Sequence, residues 1–242
     1  MPGASKIAII AALRREIREL VVGPEVQRLR VMGRNLPVYV LSDVLITCAG
    51  IGRQAAATAT ETMIQQFGPE LIVSVGFAGA VDPGLGIGGV VVPSTVIEAD
   101  SGRRFSTRRG EGVLVSANEI ATSGRKAELR EKYQALAVDM EASAVAERAS
   151  AHGVQFMAIK SISDNAATTL PDFSRFVREN GEFETSRFFL HTMFHPTSWS
   201  ELRKLAANTD LAAKNLTSAL RHSVLDGSLL RALNSKQAIN SR

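Results

Sequence analysis

"ALAVDMEASAVAERASAHGVQFMAIKSISDNA", residues 135–166, carries the reading of the whole chain. It opens on an apolar run, Ala135 to Met140, that reads as a short strand. It continues as "EASAVAERASAHG", a helix-favouring stretch closed by Gly153. It ends on a second apolar run, "VQFMAIKSIS", with Asp164 immediately beyond. Strand periodicity places Asp139 and Glu141 on one face and Met140 on the other. Two carboxylates at a strand's mouth repel each other and resist burial, so their placement asks for a use.

The same alternation extends in both directions. Strand-like runs appear at "KIAIIAA", "RLRVMG", "LPVYVLS", "VLITCAG", "LIVSVGFAG", "GGVVVPSTVIEA" and "GVLVSA". Helical stretches lie between them at "LRREIREL", "GRQAAATATETMIQQFG" and "SGRKAELREKY". Apolar strands alternating with amphipathic helices predict an α/β fold with a mixed, mostly parallel twisted sheet covered on both faces. "VMGRNLP" carries a turn signal and predicts an antiparallel pair. After Pro171 the pattern turns all-helical, through "PDFSRFVREN", "FETSRFFLHTMF", "SWSELRKLAAN" and "LAAKNLTSALRHSV". The expectation is one domain over residues 1–242, with 172–242 a helical C-terminal extension that frays from Ser235.

Composition narrows the function classes. The chain has 242 residues, 45% hydrophobic and 21% charged, which suits one globular α/β domain. The single cysteine, Cys48, excludes an internal disulfide and a cysteine-rich zinc site. No stretch reaches the roughly 18 apolar residues of a membrane span. "MPGASKIAII" reads as a lead into the first strand rather than a signal peptide, and the cytoplasm is the expected compartment. Net charge is +4, and from Arg187 onward eight Lys/Arg face three Asp/Glu. The basic tail reads as a solvated helical face. It lacks the interleaved aromatics of a nucleic-acid surface, so no nucleic-acid partner is expected. Peripheral contact with an anionic membrane is the other use of such helices.

Glycines punctuate three strand ends. "GIGRQA", Gly50 to Ala55, matches the dinucleotide fingerprint G-x-G-x-x-A. It follows the fourth strand-like run rather than the first. The next strand also ends without the acid that would hold a ribose hydroxyl. What remains is a tight strand-to-helix turn or a backbone approach to a ligand. "VGFAGAVDPG" is a second glycine turn at a strand's end, where open α/β sheets bind ligands. "GLGIGG" has no nearby charge and reads as a turn.

Acids gather at three strand ends. Glu16 falls in the first helical turn after the first strand. Asp139 and Glu141 end another strand, and Ser163 and Asp164 a third. Each alone has a plain structural use: a helix cap for Asp164, a surface acid for Glu16, a backbone acceptor for Asp139. Together, at carboxyl ends of strands, they form a candidate site.

Four segments, in order, resemble the nucleoside phosphorylase/nucleosidase superfamily, and in it the methylthioadenosine/S-adenosylhomocysteine nucleosidases. They are "KIAIIAALRREI", "TCAGIGRQAAATAT", "IVSVGFAGAVDPGLGIGGVVV" and the "MEA…SD" segment quoted first, together spanning roughly residues 6–168. The resemblance implies a three-layer α/β sandwich and a homo-oligomer, with a dimer favoured. It implies cleavage of the N-glycosidic bond of a small-molecule purine nucleoside. It calls for no metal and no cofactor, with phosphate as co-substrate if the reaction is phosphorolysis. By resemblance Glu16 activates water, Glu141 binds the ribose hydroxyls and Met140 packs on the sugar. Asp164, oriented by Ser163, donates a proton to the leaving purine. Phe77, Ala78, Gly79, Ile120 and Asp139 line the base and sugar.

The chain departs from that pattern in places. Arg14 and Arg15 stand where nucleosidases commonly carry acids, and with Arg53 they are candidates for binding phosphate. Against phosphorolysis, "LIVSVGFAG" has no arginine beside its glycine turn. Asp139 stands where Glu is commoner. Asn118, Glu119 and Ile120 replace a region that usually brings an aromatic ring to the base. The basic helical tail is similar to that of a hopanoid-associated phosphorylase group that acts on a nucleoside joined to a lipid. In that reading Phe188, Phe189, Leu190, Met193, Phe194 and Trp199 line an apolar channel; core packing is the commoner use of such a stripe. The rival from another class is a nucleoside-binding protein without activity.

Overall fold

The computed structural model describes residues 7–23, 25–31, 33–168 and 199–225. Two expected helices, "PDFSRFVREN" and "FETSRFFLHTMF", lie outside them, as do the aromatic residues 188–194 of the expected channel. The strands are β1 (Ile7–Ala11), β2 (Glu25–Val31), β3 (Arg34–Leu41), β4 (Val44–Cys48), β5 (Leu71–Ala80), β6 (Val90–Val91), β7 (Thr95–Glu98), β8 (Arg104–Ser106), β9 (Val113–Ser116), β10 (Ala135–Asp139) and β11 (Gln155–Asp164). The helices are α1 (Arg14–Ile17), α2 (Arg53–Phe67), α3 (Ser123–Tyr133), α4 (Ala142–Ala151) and α5 (Trp199–Leu220), the last running into a π-helical turn, Arg221–Leu225.

All eleven strands belong to one sheet, ordered β2-β3-β4-β1-β5-β10-β9-β7-β8, with β11 and β6 on a branch from β5. The centre is parallel, in the pairs β1/β4, β1/β5 and β5/β11. Antiparallel pairs supply the β2-β3-β4 meander, the β7/β8 edge and the β5/β10 junction. The sheet is therefore more evenly mixed than its apolar strands suggested. Gly33 forms the expected turn of the β2–β3 hairpin with φ +79°.

Period-2 burial explains the layers. In β1, Ala8 and Ile10 face a core shared with α2 and α4, while Ile7, Ile9 and Ala11 face one shared with α1 and α5. The first core is rich in alanine: Ala56 and Ala59 of α2 meet Ala142, Ala146 and Ala149 of α4. Small side chains let these two helices lie close on the sheet and on each other. The second core is closed by Leu216, Leu220 and Val224 from the far end of the chain. Helix α5 joins two segments read as separate helices. No Gly or Pro divides them, and the Thr209 hydroxyl bonds back to Leu205 O at 2.9 Å instead of breaking the helix.

Strand β5 positions the site because it outruns β1. Its first half, Leu71 to Val75, pairs with β1. Its second half pairs with β10 in the opposite sense, Val138 against Gly79 and Ala137 against Ala80. Strand β11 follows β5 along its length and ends with Asp164 opposite Gly79. The acidic ends of β1, β10 and β11 thus all turn toward Gly76–Gly79.

Candidate active site

Glu16 lies on a single helical turn, folded back over its own N-terminus. Oε2 accepts hydrogen bonds from Ala12 N and Leu13 N, each 2.9 Å, and Oε1 accepts one from Phe77 N at 3.1 Å. The side chain is buried, and burial raises its pKa despite these amides and the nearby Lys160. Gly76 makes the arrangement fit. Its φ is +148°, and a Cβ there would stand 2.8 Å from Glu16 Oε1.

Glu141 is half-buried at the start of α4. Its Oε1 accepts the Gly52 N–H at 2.8 Å, at the N-terminus of α2. The "GIGRQA" turn therefore aims its helix end at the protein's own carboxylate. Burial, with Asp139 alongside, lifts the Glu141 pKa to about 7, and Lys160 and the Gly52 amide only partly oppose this.

Asp139, expected among the ligand contacts, turns inward. Oδ1 accepts from Ser116 Oγ at 2.5 Å, while Oδ2 accepts from Ala142 N and pairs with Lys160 Nζ, both at 2.9 Å. It caps α4 and neutralises a lysine, which occupies both oxygens. Lys160 is 1% exposed and also donates to Ser74 Oγ at 3.1 Å. Burial depresses its pKa, but Asp139, then Glu141 and Glu16, outweigh that and hold it raised. Lys160 is thus the cation at the centre of three acids, and sequence reasoning missed it. The signal was available: a lysine inside the apolar strand "VQFMAIKSIS" must find partners when buried.

Asp164, 4% exposed, ends β11 against Gly79. A Cβ on Gly79 would stand 2.9 Å from Asp164 Oδ2. Ser163 Oγ donates to Asp164 Oδ1 at 2.9 Å. Lys126 of α3 forms a buried ion pair with Oδ2. This second lysine was also missed. It lies three residues before Leu129 and seven before Tyr133, on the inner stripe of α3, where a charge signals a partner.

The other expected residues divide. Phe77 and Gly79 are half-buried and Ala78 buried on β5, beside Glu16 and Asp164. Met140 is half-buried between the two acids it separates, and Ile120 is half-buried in the loop between β9 and α3. Asn118 and Glu119 are exposed, and Asn118 Nδ2 donates to Asp100 Oδ2. Arg15 pairs with Asp210 of α5 at 2.9 Å. Arg53 pairs with Glu98 and, at 2.6 Å, with Glu147, while Arg103 joins the same two glutamates. These guanidiniums are engaged by carboxylates, which removes the simplest basis for reading Arg15 and Arg53 as phosphate ligands. Arg14 is exposed, and its charge partly offsets the burial that drives the Cys48 thiol up to about 12. Among the described residues no group of three or more His, Cys, Asp or Glu is placed to hold a metal ion. None of their helices is long and apolar enough to cross a membrane.

A mixed sheet between helical layers, with Glu16 and Asp164 against two glycines of β5 and Glu141 against Gly52, is the frame of an α/β enzyme acting on nucleosides. The chain belongs to the phosphorylase superfamily, whose family model matches residues 6–111 and 107–188. It is similar to the 5′-methylthioadenosine/S-adenosylhomocysteine nucleosidase of Staphylococcus saprophyticus, 28% identical over 158 residues that span 51% of this chain and 69% of the relative. The Shewanella halifaxensis enzyme of the same name is 27% identical over 73% of this chain and 94% of its own. Two Helicobacter pylori structures share the fold at 22% identity and a TM-score of 0.65. One is a mutant of that organism's 5′-methylthioadenosine/S-adenosylhomocysteine nucleosidase with 5′-methylthioadenosine in its active site, covering 90% of this chain and 99% of that one. The other is futalosine hydrolase, covering 90% and 98%.

Proposed function

We propose that this enzyme hydrolyses the N-glycosidic bond of an adenine-type purine nucleoside, as the named nucleosidases do. One observation carries the reading: Glu16 and Asp164 each abut a glycine of β5, Gly76 and Gly79, with Glu141 near Glu16. Three residues of strand span about 10 Å, enough to lay a sugar and a base between a general base and a general acid. Acid and base set far apart leave room for water to attack the sugar directly.

In this scheme water adds to C1′ and gives a proton to Glu16, whose raised pKa makes it a better base than a surface carboxylate. Glu141 accepts hydrogen bonds from the ribose hydroxyls and strengthens its hold as the ring becomes cationic. The C1′–N9 bond breaks, its electron pair passes to the base, and Asp164 protonates N7. Ser163 orients Asp164, while Phe77, Ala78, Gly79, Met140 and Ile120 line the base and sugar. Asp139 acts from below, through Lys160 and the α4 cap. No cofactor enters the scheme.

Phosphorolysis is the alternative, and exposed Arg14 on α1 is the feature that favours it. The lipid-linked substrate of a hopanoid-type phosphorylase belongs to the same alternative, with the basic C-terminal helices as its membrane contact. We further take residues 1–242 as one domain, assembled as a homodimer and working in the cytoplasm.

The deciding experiment incubates 5′-methylthioadenosine, adenosine and inosine with and without phosphate. Free adenine and a free reducing sugar, at a rate indifferent to phosphate, are expected, and Glu16→Gln should abolish them. Strict dependence on phosphate with a ribosyl 1-phosphate product would overturn hydrolysis. No base release from any nucleoside, with nucleoside binding retained, would leave the non-catalytic binder.

A further inference from the structure

Lys126 offers a chemistry the proposed scheme does not use. An ammonium has three N–H donors and no acceptor. Here Nζ donates to Asp164 Oδ2, to Asn165 O at 2.8 Å and to Thr168 O at 3.0 Å. Its donors are spent, so it has none left for a ligand. Because Nζ cannot accept, a proton on Asp164 cannot lie between Oδ2 and Lys126. That leaves it Oδ1, beside Ser163 Oγ at 2.9 Å, or the side of Oδ2 turned away from the lysine. Ser163 Oγ also reaches Ala78 O at 3.4 Å, so its hydrogen can turn there and leave a lone pair for Oδ1–H. The ammonium is 2% exposed, so each of its donors must find an acceptor inside the protein. Gly79 is also kept bare beside the pair, since its Cβ would stand 3.1 Å from Lys126 Cε.

We infer that Lys126 is a positioning residue for leaving-group protonation, fixing Asp164 and the 165–168 turn and keeping the transferable proton off the side of Oδ2 that faces the lysine. The inference rests on the nucleosidase reading. As C1′–N9 breaks, its electron pair goes to the purine and the proton passes from Asp164 to N7. Asp164 becomes a carboxylate, and its contact with Lys126 Nζ stabilises the negative charge left behind. The proton that water gives up goes to Glu16, and exchange with solvent restores both acids.

A leaving-group comparison tests this. Lys126→Met is assayed on 5′-methylthioadenosine, whose base needs the proton, and on 4-nitrophenyl β-ribofuranoside, whose phenolate departs without one. Each rate scales with folded enzyme, so their ratio is independent of the folded fraction. If Lys126→Met does not accumulate, Lys126→Gln reads the same ratio. The expected result is a kcat on the nucleoside lower by about 10²-fold, with KM and the nitrophenyl rate changed by less than about 3-fold. Equal losses on both substrates would mean that Lys126 only supports the fold. An unchanged ratio with full activity would give it no role. Failure of the wild-type enzyme to release adenine is a different outcome, seen before any variant is made, and it removes the nucleosidase reading itself.

Discussion

Gly79→Ala adds one methyl group at the point where the proposed acid is held. The new Cβ would stand 2.9 Å from Asp164 Oδ2, 3.3 Å from Oδ1 and 3.1 Å from Lys126 Cε. Ordinary contact begins near 3.4 Å, so the carboxylate must retreat by roughly 0.5 Å or the strand must bend. Gly79 has no left-handed φ, so steric pressure is the whole perturbation. Overpacking of this kind costs about 1–3 kcal/mol of stability. In a chain of this size about 2 kcal/mol lowers Tm by roughly 4–8 °C. A misplacement of about 1 Å can cost 10²-fold in rate, so half of that predicts a loss of about 10-fold in kcat. Gly86→Ala is the control, because nothing lies within 4 Å of its added Cβ. Initial rates of adenine release, with melting curves for both variants, make the measurement. A Gly79→Ala enzyme with wild-type kcat would show that the position of Asp164 does not govern the reaction.

Asp164→Asn should lose about 10²–10⁴-fold in base release per folded molecule, since an amide cannot supply the proton, and it should also lower the melting temperature, because Lys126 stays buried without its carboxylate. Glu141→Gln should lower kcat more than it raises KM, because the carboxylate acts on the cationic sugar rather than the ground state. Glu141 also sets a pH dependence of stability. With a native pKa of about 7 against an ordinary 4.5, the native state holds the extra proton, so stability present below pH 4.5 is lost as pH rises through 7. The loss is roughly 3 kcal/mol, and Glu141→Gln melted at pH 5 and pH 8 should remove most of that slope. Lys160→Met leaves Asp139 buried without its cation, and urea unfolding should register a loss of about 3–5 kcal/mol.

The alternation of apolar strands with helices was legible because β1, β4, β5 and β11 are buried on both faces along most of their length and are mostly apolar there. The β2–β3 hairpin was legible from Gly33. The single α5 was not, because Thr209 and Asp210 read as a break until the threonine hydroxyl is seen to bond within the helix. At the site, residue type and strand-end position pointed to Glu16, Glu141 and Asp164. Their partners were less visible, since each comes from a distant segment: Gly52 lies 89 residues from Glu141, and Lys126 lies 38 from Asp164. Asp139 shows where the pattern loses its hold. Alternation along the strand predicts a face only while the strand continues, and β10 ends at Asp139, so that side chain caps the next helix and pairs with Lys160.

The docking of α5 has a consequence for synthesis. Arg15, the neighbour of Glu16, is tied to Asp210 and to Ala206 O, 195 and 191 residues further along. The inner face of β1 is closed by Leu216, Leu220 and Val224, and the "GLGIGG" turn is held by Asn215 Nδ2 on Gly88 O at 2.8 Å. While the chain is still being made, β1 can pair with β4 and β5, but one side of that ribbon stays greasy and bare until α5 has left the ribosome. The turn that bears Glu16 already has Phe77 N and the end of β1 to hold it, and α5 adds the tie through Arg15. In that interval the apolar residues that α5 later covers are the surface a chaperone would grip.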